Sequence, residues 1–372
     1  WPRPPFHPGK AYMQLLMFFA GLLALIAGAE LLVRGASRLA LSFGISPLVV
    51  GLTIVAFGTS APEIAVSVGA ALDGRTDIAI GNVVGSNIVN VLFILGLSAL
   101  IIPLVVHAQI VRQEVPIMIG ASLLLLVFAI DGRIGFWESG FLLALLLAYT
   151  VFLILQSRRE TQSTRDEYAH EVVKASRWDA HWAAQLLLIA AGLGLLVVGS
   201  QWLVTAASAF ARAMGVSDLV IGLTVVAVGT SLPEVATSLM AALRKERDIA
   251  VGNVIGSNIF NLLGCVGLTG LVTGDGLPIA AGLLNFDLWV MLAAAFACLP
   301  VFLSGREIAR WEGGVFLAYF VAYTTYVVLS AQQHAMLPVF GTAMLSFVLP
   351  LTVVTLVVVM LRPNRERGSG GP

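Results

Sequence analysis

Apolar runs long enough to cross a bilayer follow one another along this chain, and they leave it few folds. Eleven are legible, at approximately 11–33, 45–72, 78–101, 110–130, 136–156, 183–205, 217–243, 249–272, 284–303, 311–330 and 336–361. Each meets or exceeds the roughly twenty residues that about 30 Å of hydrocarbon demands of a helix. Hydrophobic residues make up 58% of the 372 residues and charged ones 11%, so the chain reads as an all-α polytopic membrane protein. Net charge is zero, which gives no basis for a nucleic-acid partner. The proline-rich opening WPRPPFHPGK begins with tryptophan and enters no fold argument.

Charge placement orients the spans. With the N-terminus outside, 16 of the 21 Lys and Arg fall on inner loops and span ends, and five (Arg3, Lys10, Arg75, Arg133 and Arg212) fall on outer ones. The bias of basic residues toward the cytoplasm then puts the N-terminus out, the C-terminus in, and the charged 157–182 linker in the cytoplasm. Trp137, Trp178, Trp182 and Trp311 read as anchors at the membrane surface.

The chain is also a duplication. Residues 51–97 and 222–268 align without gaps at 29 of 47 positions, and the likeness reaches back from GISPLVV and GVSDLVI to GAELLV at 28–33 against GSQWLV at 199–204. Five spans separate each element from its copy. An odd number reverses direction, so the halves form an inverted-topology repeat, an arrangement that places substrate sites near the midplane where the copies meet. The organisation read from this is a first five-helix repeat at 1–156, a linker at 157–182, a second five-helix repeat at 183–330, and an extra C-terminal span with its tail at 331–372.

Inside each copy a break signal interrupts an apolar span: GTSAPE at 58–63 and GTSLPE at 229–234. Pro62 cannot donate to the carbonyl of Gly58 four residues earlier, so carbonyls from Ala56 to Thr59 are expected to lack helical partners. In hydrocarbon such groups need another partner, and a bound cation is one. Thr59 and Ser60 add hydroxyls and Glu63 a carboxylate; the second copy supplies Ala227, Thr230, Ser231, Pro233 and Glu234. The next spans read GNVVGSNIVN and GNVIGSNIFN, which put Asn82, Ser86 and Asn90 on one helical face, and Asn253, Ser257 and Asn261 on another. Gly81, Gly85, Gly252 and Gly256 are expected to let backbones approach closely.

Converging, these four segments offer only hard oxygen donors. Calcium takes about six to eight oxygens, and two bidentate glutamates with two carbonyls already reach six. No His or Cys joins the set, which argues against zinc or copper; Cys265 and Cys298 lie in apolar runs and read as small core residues. A membrane proline is often only a kink, and small residues spaced by four usually serve packing. A glutamate deep in a membrane is costly enough to be a functional candidate by default, and this one is duplicated in the same context. Glu30 sits toward a span end near Arg34, with Gln201 as its counterpart, and reads as a snorkelling or locally paired charge. Asp73, Arg75 and Asp77, like residues 244–248, read as solvated loop ends.

The paired G-T-S-x-P-E and G-N-x-x-G-S-N-x-x-N motifs resemble those of the sodium/calcium exchanger branch of the calcium/cation antiporters, over roughly 11–330. The resemblance implies that Glu63 and Glu234 ligate calcium together with the Thr59 and Thr230 carbonyls. Sodium sites would use Ala56, Ser60, Ser86, Ala227, Ser231 and Ser257, with Asn90 between them and its copy Asn261 counted in the set. Potassium-dependent relatives tend to carry aspartate at Asn261, which speaks against potassium co-transport. The family core has ten spans, so the segment at 336–361 is a departure. The linker is too short for the large regulatory domains of animal exchangers, which points to a prokaryotic, plasma-membrane form.

The implied activity is electrogenic antiport of sodium against calcium, with those ions as cargo, the bilayer as the only other partner, and no cofactor or enzymatic step. Calcium/proton exchange is the alternative, since protons can neutralise the same glutamates, although that branch usually shows G-N-x-x-E in place of G-T-S-x-P-E. A membrane enzyme using the acidic pair and a passive cation channel are the readings from other classes; no nucleophile with a His base or metal motif supports the former, and flux without a counter-ion would support the latter.

Overall fold

A computed structural model describes residues 8–43, 45–157, 181–216, 218–221, 224–225, 227–303 and 305–361. Most of the 157–182 linker, including Trp178, lies outside the described residues. Among the described residues, nine helices are long and apolar enough to cross a membrane, and a tenth span is the bent pair Pro47–Thr59 and Ala61–Leu72, whose halves meet at 41°. The expected seventh span is present as Asp218–Ile221, Ala227–Thr230 and Leu232–Leu243, with residues 217, 222, 223 and 226 outside the described set. The extra C-terminal span is there too, as Leu337–Thr355.

The first helix, Pro8–Phe43, runs well past the apolar limit read at residue 33. Arg34 does not end it, because Ala36, Leu39 and Ala40 beyond it are buried and reward another two turns. The second span begins where Ser46 caps it, its hydroxyl accepting from the Val49 N–H at 3.4 Å, with Pro47 at the first helical position.

Burial orders the helices. The apolar window of Arg247–Thr273 is 100% buried and that of Leu337–Thr355 is not buried at all, so the eighth span is central and the last one peripheral. Around the centre, both halves repeat the same local solutions. Glu138 accepts from the Gly135 N–H at 2.6 Å to start the fifth span, and Glu312 accepts from the Ala309 N–H at 2.8 Å to start the tenth. Tyr149 donates to buried Glu114 at 2.6 Å, and Tyr323 to Asp287 at 2.8 Å. Two short antiparallel ribbons join the halves: Leu104–Val105 with Glu307–Ile308, and Arg133–Ile134 with Leu277–Pro278. The first strand of each half pairs with the second strand of the other, so a two-fold operation exchanges the ribbons. The duplication therefore extends over all five spans of each half, beyond the stretch that aligns in sequence.

The first helix and Trp182–Ala213 lie antiparallel in close contact. A Cβ on Gly28 would sit 2.8 Å from the Gly192 carbonyl oxygen, and one on Gly21 the same distance from that of Gly199. These glycines let two long helices approach to backbone contact, the packing that membranes favour in the absence of a hydrophobic drive between helices. Trp137, Trp182 and Trp311 are exposed at the starts of their helices, as membrane-surface anchors require.

Candidate cation site between the repeats

The break in each copy centres on one serine. Ser60 (φ −82°, ψ 1°) and Ser231 (φ −85°, ψ 7°) leave helical geometry, and the next residues start new helices, Ala61–Leu72 and Leu232–Leu243. Pro62 and Pro233 fall in the first turn of those helices, where a missing N–H costs nothing. The Ala56 carbonyl, expected to be freed, accepts from the Ser60 N–H at 3.0 Å; Gly58 loses its donor to the proline, and the Thr59 carbonyl lies at the end of its helix, as expected. The main product of the break is the placement of Glu63 and Glu234 in the first turn of a helix, at its positive end, where a carboxylate is favoured.

Both glutamates are buried, and the two copies reach into each other. Ser60 Oγ donates to Glu234 Oε1 at 3.2 Å, and Ser231 Oγ donates to Glu63 Oε1 at 3.3 Å. Thr59 Oγ1 donates to Asn253 Oδ1 at 3.1 Å, and Thr230 Oγ1 to Asn82 Oδ1 at 3.3 Å. Asn82 Nδ2 in turn donates to Ser67 Oγ at 3.0 Å and to the Glu63 carbonyl at 3.2 Å, while Asn253 Nδ2 donates to Ser238 Oγ at 2.9 Å. Each serine–glutamate and threonine–asparagine bond between the repeats has its exchanged twin, so both carboxylates belong to one site.

Ser67 and Ser238 are absent from the residues singled out in the sequence. The available signal was their spacing, one helical turn beyond each glutamate and identical in both copies. Cys265 is buried and unbridged, and its thiol lies 3.6 Å from the Glu63 carbonyl oxygen, in the wall of the site rather than in a remote core.

Each carboxylate has one oxygen to spare. Glu63 Oε2, Glu234 Oε2, Ser86 Oγ, Ser257 Oγ, Asn90 Oδ1 and Asn261 Oδ1 are all buried without a hydrogen-bond partner. Leaving a buried polar group unsatisfied costs roughly 1–3 kcal/mol, more for a charged one. Six such oxygens from four segments form a hard-donor set that cations satisfy and that suits calcium or sodium better than softer metals. Asn90 also donates to Asn258 Oδ1 at 3.0 Å, whereas its copy Asn261 has no partner for either amide atom. Both asparagines lie in π-helical turns, Val89–Leu95 and Phe260–Cys265, a widened form of helix often found at functional sites. Ala56 is buried in the helical turn before the break, and Ala227 begins the equivalent turn Ala227–Thr230.

The two flanks of the site differ. Thr59, Asn253, Gly252 and Gly256 are buried, whereas Thr230, Asn82, Gly81 and Gly85 are only partly so. A Cβ on Gly256 would lie 2.7 Å from the Leu52 carbonyl oxygen, while Gly81 and Gly85 have no neighbour within 4 Å among the described residues. Gly252 and Gly256 therefore bring backbones together as expected, while residues 222, 223 and 226, in the segment that faces Gly81 and Gly85 by the repeat relation, lie outside the described residues. Glu30 pairs across the molecule with Arg244, which sits exposed in the turn after Leu232–Leu243 as a loop end that also holds a partner.

The sodium/calcium exchanger protein family profile matches residues 13–155 and 184–329, which covers both repeats and leaves out the linker and the last span. The chain belongs to this family. Among its relatives, the sodium/calcium exchanger MaX1 of Methanosarcina acetivorans is 34% identical over 342 residues, covering 84% of this chain and 97% of that one. The putative antiporter CaxA of Alkalimonas amylolytica is 40% identical over 316 residues, covering 83% and 96%. A solved structure of the sodium-calcium exchanger NCX_Mj, soaked with zero Na+ and Ca2+, superposes with a TM-score of 0.71 at 32% identity, covering 85% of this chain and 99% of that one.

Proposed function

We propose that this exchanger-family chain is a secondary active antiporter that moves sodium against calcium by alternating access. The observation that carries the reading is the pair of buried carboxylates, one from each repeat, each bonded through a single oxygen to the serine of the other copy and each with its second oxygen free. In this reading Glu63 and Glu234 hold calcium with the Thr59 and Thr230 carbonyls, and sodium binds among Ala56, Ser60, Ser86, Ala227, Ser231 and Ser257, with Asn90 and Asn261 completing the set.

Charge supplies the coupling. Two ionised glutamates carry about −2, and taking that through a closed, low-dielectric intermediate is strongly disfavoured. Ions must accompany each crossing. One calcium cancels the pair, and three sodium ions, the family's pattern, exceed it by one, so the cycle is electrogenic. The first and sixth helices pack more extensively on each other than on the core, which fits their sliding as one unit past the broken helices. With the N-terminus outside and the C-terminus cytoplasmic, in the plasma membrane, the half-buried Thr230–Asn82 flank faces outward and the sealed Thr59–Asn253 flank faces the cytoplasm.

Sodium-driven calcium flux into proteoliposomes tests the reading. Glu63→Gln and Glu234→Gln are each expected to reduce it on the order of a hundredfold; near-normal flux in both overturns the proposal. Calcium/proton exchange is the second reading, favoured by the free oxygen on each carboxyl, which accepts a proton as readily as a metal ion. Sodium and proton gradients imposed separately on calcium-loaded vesicles separate the two.

A further inference from the structure

One residue pair breaks the two-fold relation of the site in a specific way. Asn258 reaches the opposite repeat: its Oδ1 accepts from Asn90 Nδ2 at 3.0 Å, and its own Nδ2 points to Met118 Sδ at 3.3 Å. Its copy Asn87 folds back on its own helix, donating to the Val83 carbonyl at 3.0 Å, with its Oδ1 buried and unpartnered. The residue Asn87 would grip by symmetry is Asn261, fully buried with both amide atoms unsatisfied. The pieces for the reciprocal arrangement are all present. Met291 in the ninth span stands where Met118 stands in the fourth, and the Val254 carbonyl stands where the Val83 carbonyl does. The turns approach correctly as well: helix Thr76–Ile88 packs against Phe260–Cys265 just as Arg247–Ile259 packs against Val89–Leu95.

We propose that Asn87 and Asn258 are alternately used positioning residues: in the present state Asn258 holds the Asn90 carboxamide, and in the state of opposite access Asn87 holds that of Asn261 while Asn258 folds back onto the Val254 carbonyl. The inference rests on the alternating-access reading above. Its physical basis is the cost of unpaired buried amides. The present state leaves Asn261 and the Asn87 oxygen unsatisfied, the mirror state leaves Asn90 and the Asn258 oxygen so, and the exchange of partners between two equivalent arrangements supplies a two-state element with little net bias. In each state the gripped asparagine has its Nδ2 committed and its Oδ1 left to the ion site, so the switch also determines which of Asn90 and Asn261 presents a fixed oxygen.

The test is the full chain in proteoliposomes of uniform orientation, with half-maximal calcium for exchange measured separately on each face. Removing one state-specific hydrogen bond moves a two-state equilibrium about fivefold. Asn87→Ala should therefore raise half-maximal calcium about fivefold on the face reached past Thr59 and Asn253, and Asn258→Ala should raise it on the opposite face. For a variant with too little flux to measure, amide hydrogen–deuterium exchange of the purified protein over residues 45–59 reads the same populations: slower in Asn87→Ala, faster in Asn258→Ala. Shifts of the same sign in both variants, or none in either, overturn the switch, because a merely structural asparagine has no reason to act on one face. Wild-type protein without gradient-driven exchange refutes the antiporter reading itself, a result distinct from failure of the switch.

Discussion

The two repeats carry nearly the same words, GTSAPE and GNVVGSN in one, GTSLPE and GNVIGSN in the other, yet they are packed differently. The first copy's Leu52 and Ala56 press on Gly256, and Thr59 and Asn253 are sealed; on the other flank Gly85, Thr230 and Asn82 are only partly buried. Glu30 is bound to Arg244, while the corresponding positions, Gln201 and Asp73, cannot form an ion pair. Sequence symmetry with conformational asymmetry is what an inverted repeat produces when it rests in one of two related states. The cross-repeat bonds of the glutamates are symmetric, and the groups around them are not. On the proposed antiporter reading, the glutamates serve both states and the flanks define which state is occupied.

The largest expected break in this comparison comes from the glycines. Gly256→Ala places a Cβ against the Leu52 backbone and should lower stability by about 1–3 kcal/mol, read as a fall in thermal midpoint. An unchanged midpoint would mean that this flank is not closed by that contact. A medium effect sharpens the symmetric part. Ser67→Ala and Ser238→Ala each remove an acceptor of the Asn82 or Asn253 amide, and each should cost about 1 kcal/mol in denaturant unfolding; a loss confined to one copy would show that the shared shell is not shared. The smallest effect belongs to Glu30→Gln. A partly exposed ion pair contributes roughly 0.2–1 kcal/mol, so the variant should raise cysteine labelling at the Thr59–Asn253 flank by no more than about fivefold, with high salt mimicking the mutation.

Much of the fold was legible because its signals are local. Apolar length marks the spans, and the count of five between copies fixes their inversion. The acidic pair was legible for a similar reason, since a duplicated glutamate beside a proline in hydrocarbon has few structural explanations. What the sequence does not reveal is set by packing between residues far apart in the chain. The Glu30–Arg244 pair, the crossing of each serine to the opposite glutamate, and the division of labour between Asn87 and Asn258 depend on which helix faces which. The end of the first helix was misread because Arg34 looks like a boundary, while the buried alanines after it continue the helix. The Ala56 carbonyl keeps a helical donor because the break comes at Ser60, and the place of Pro62 in the first turn of the next helix appears only once the chain is seen to bend there.

The most direct test of one shared site is calcium titration by calorimetry of the purified chain and of Glu63→Gln, Glu234→Gln and the double variant. A site built jointly by both repeats predicts one calcium per wild-type chain, a severe loss in either single variant, and little further loss in the double. Two calcium ions per chain, with each single variant retaining one of them, would contradict it.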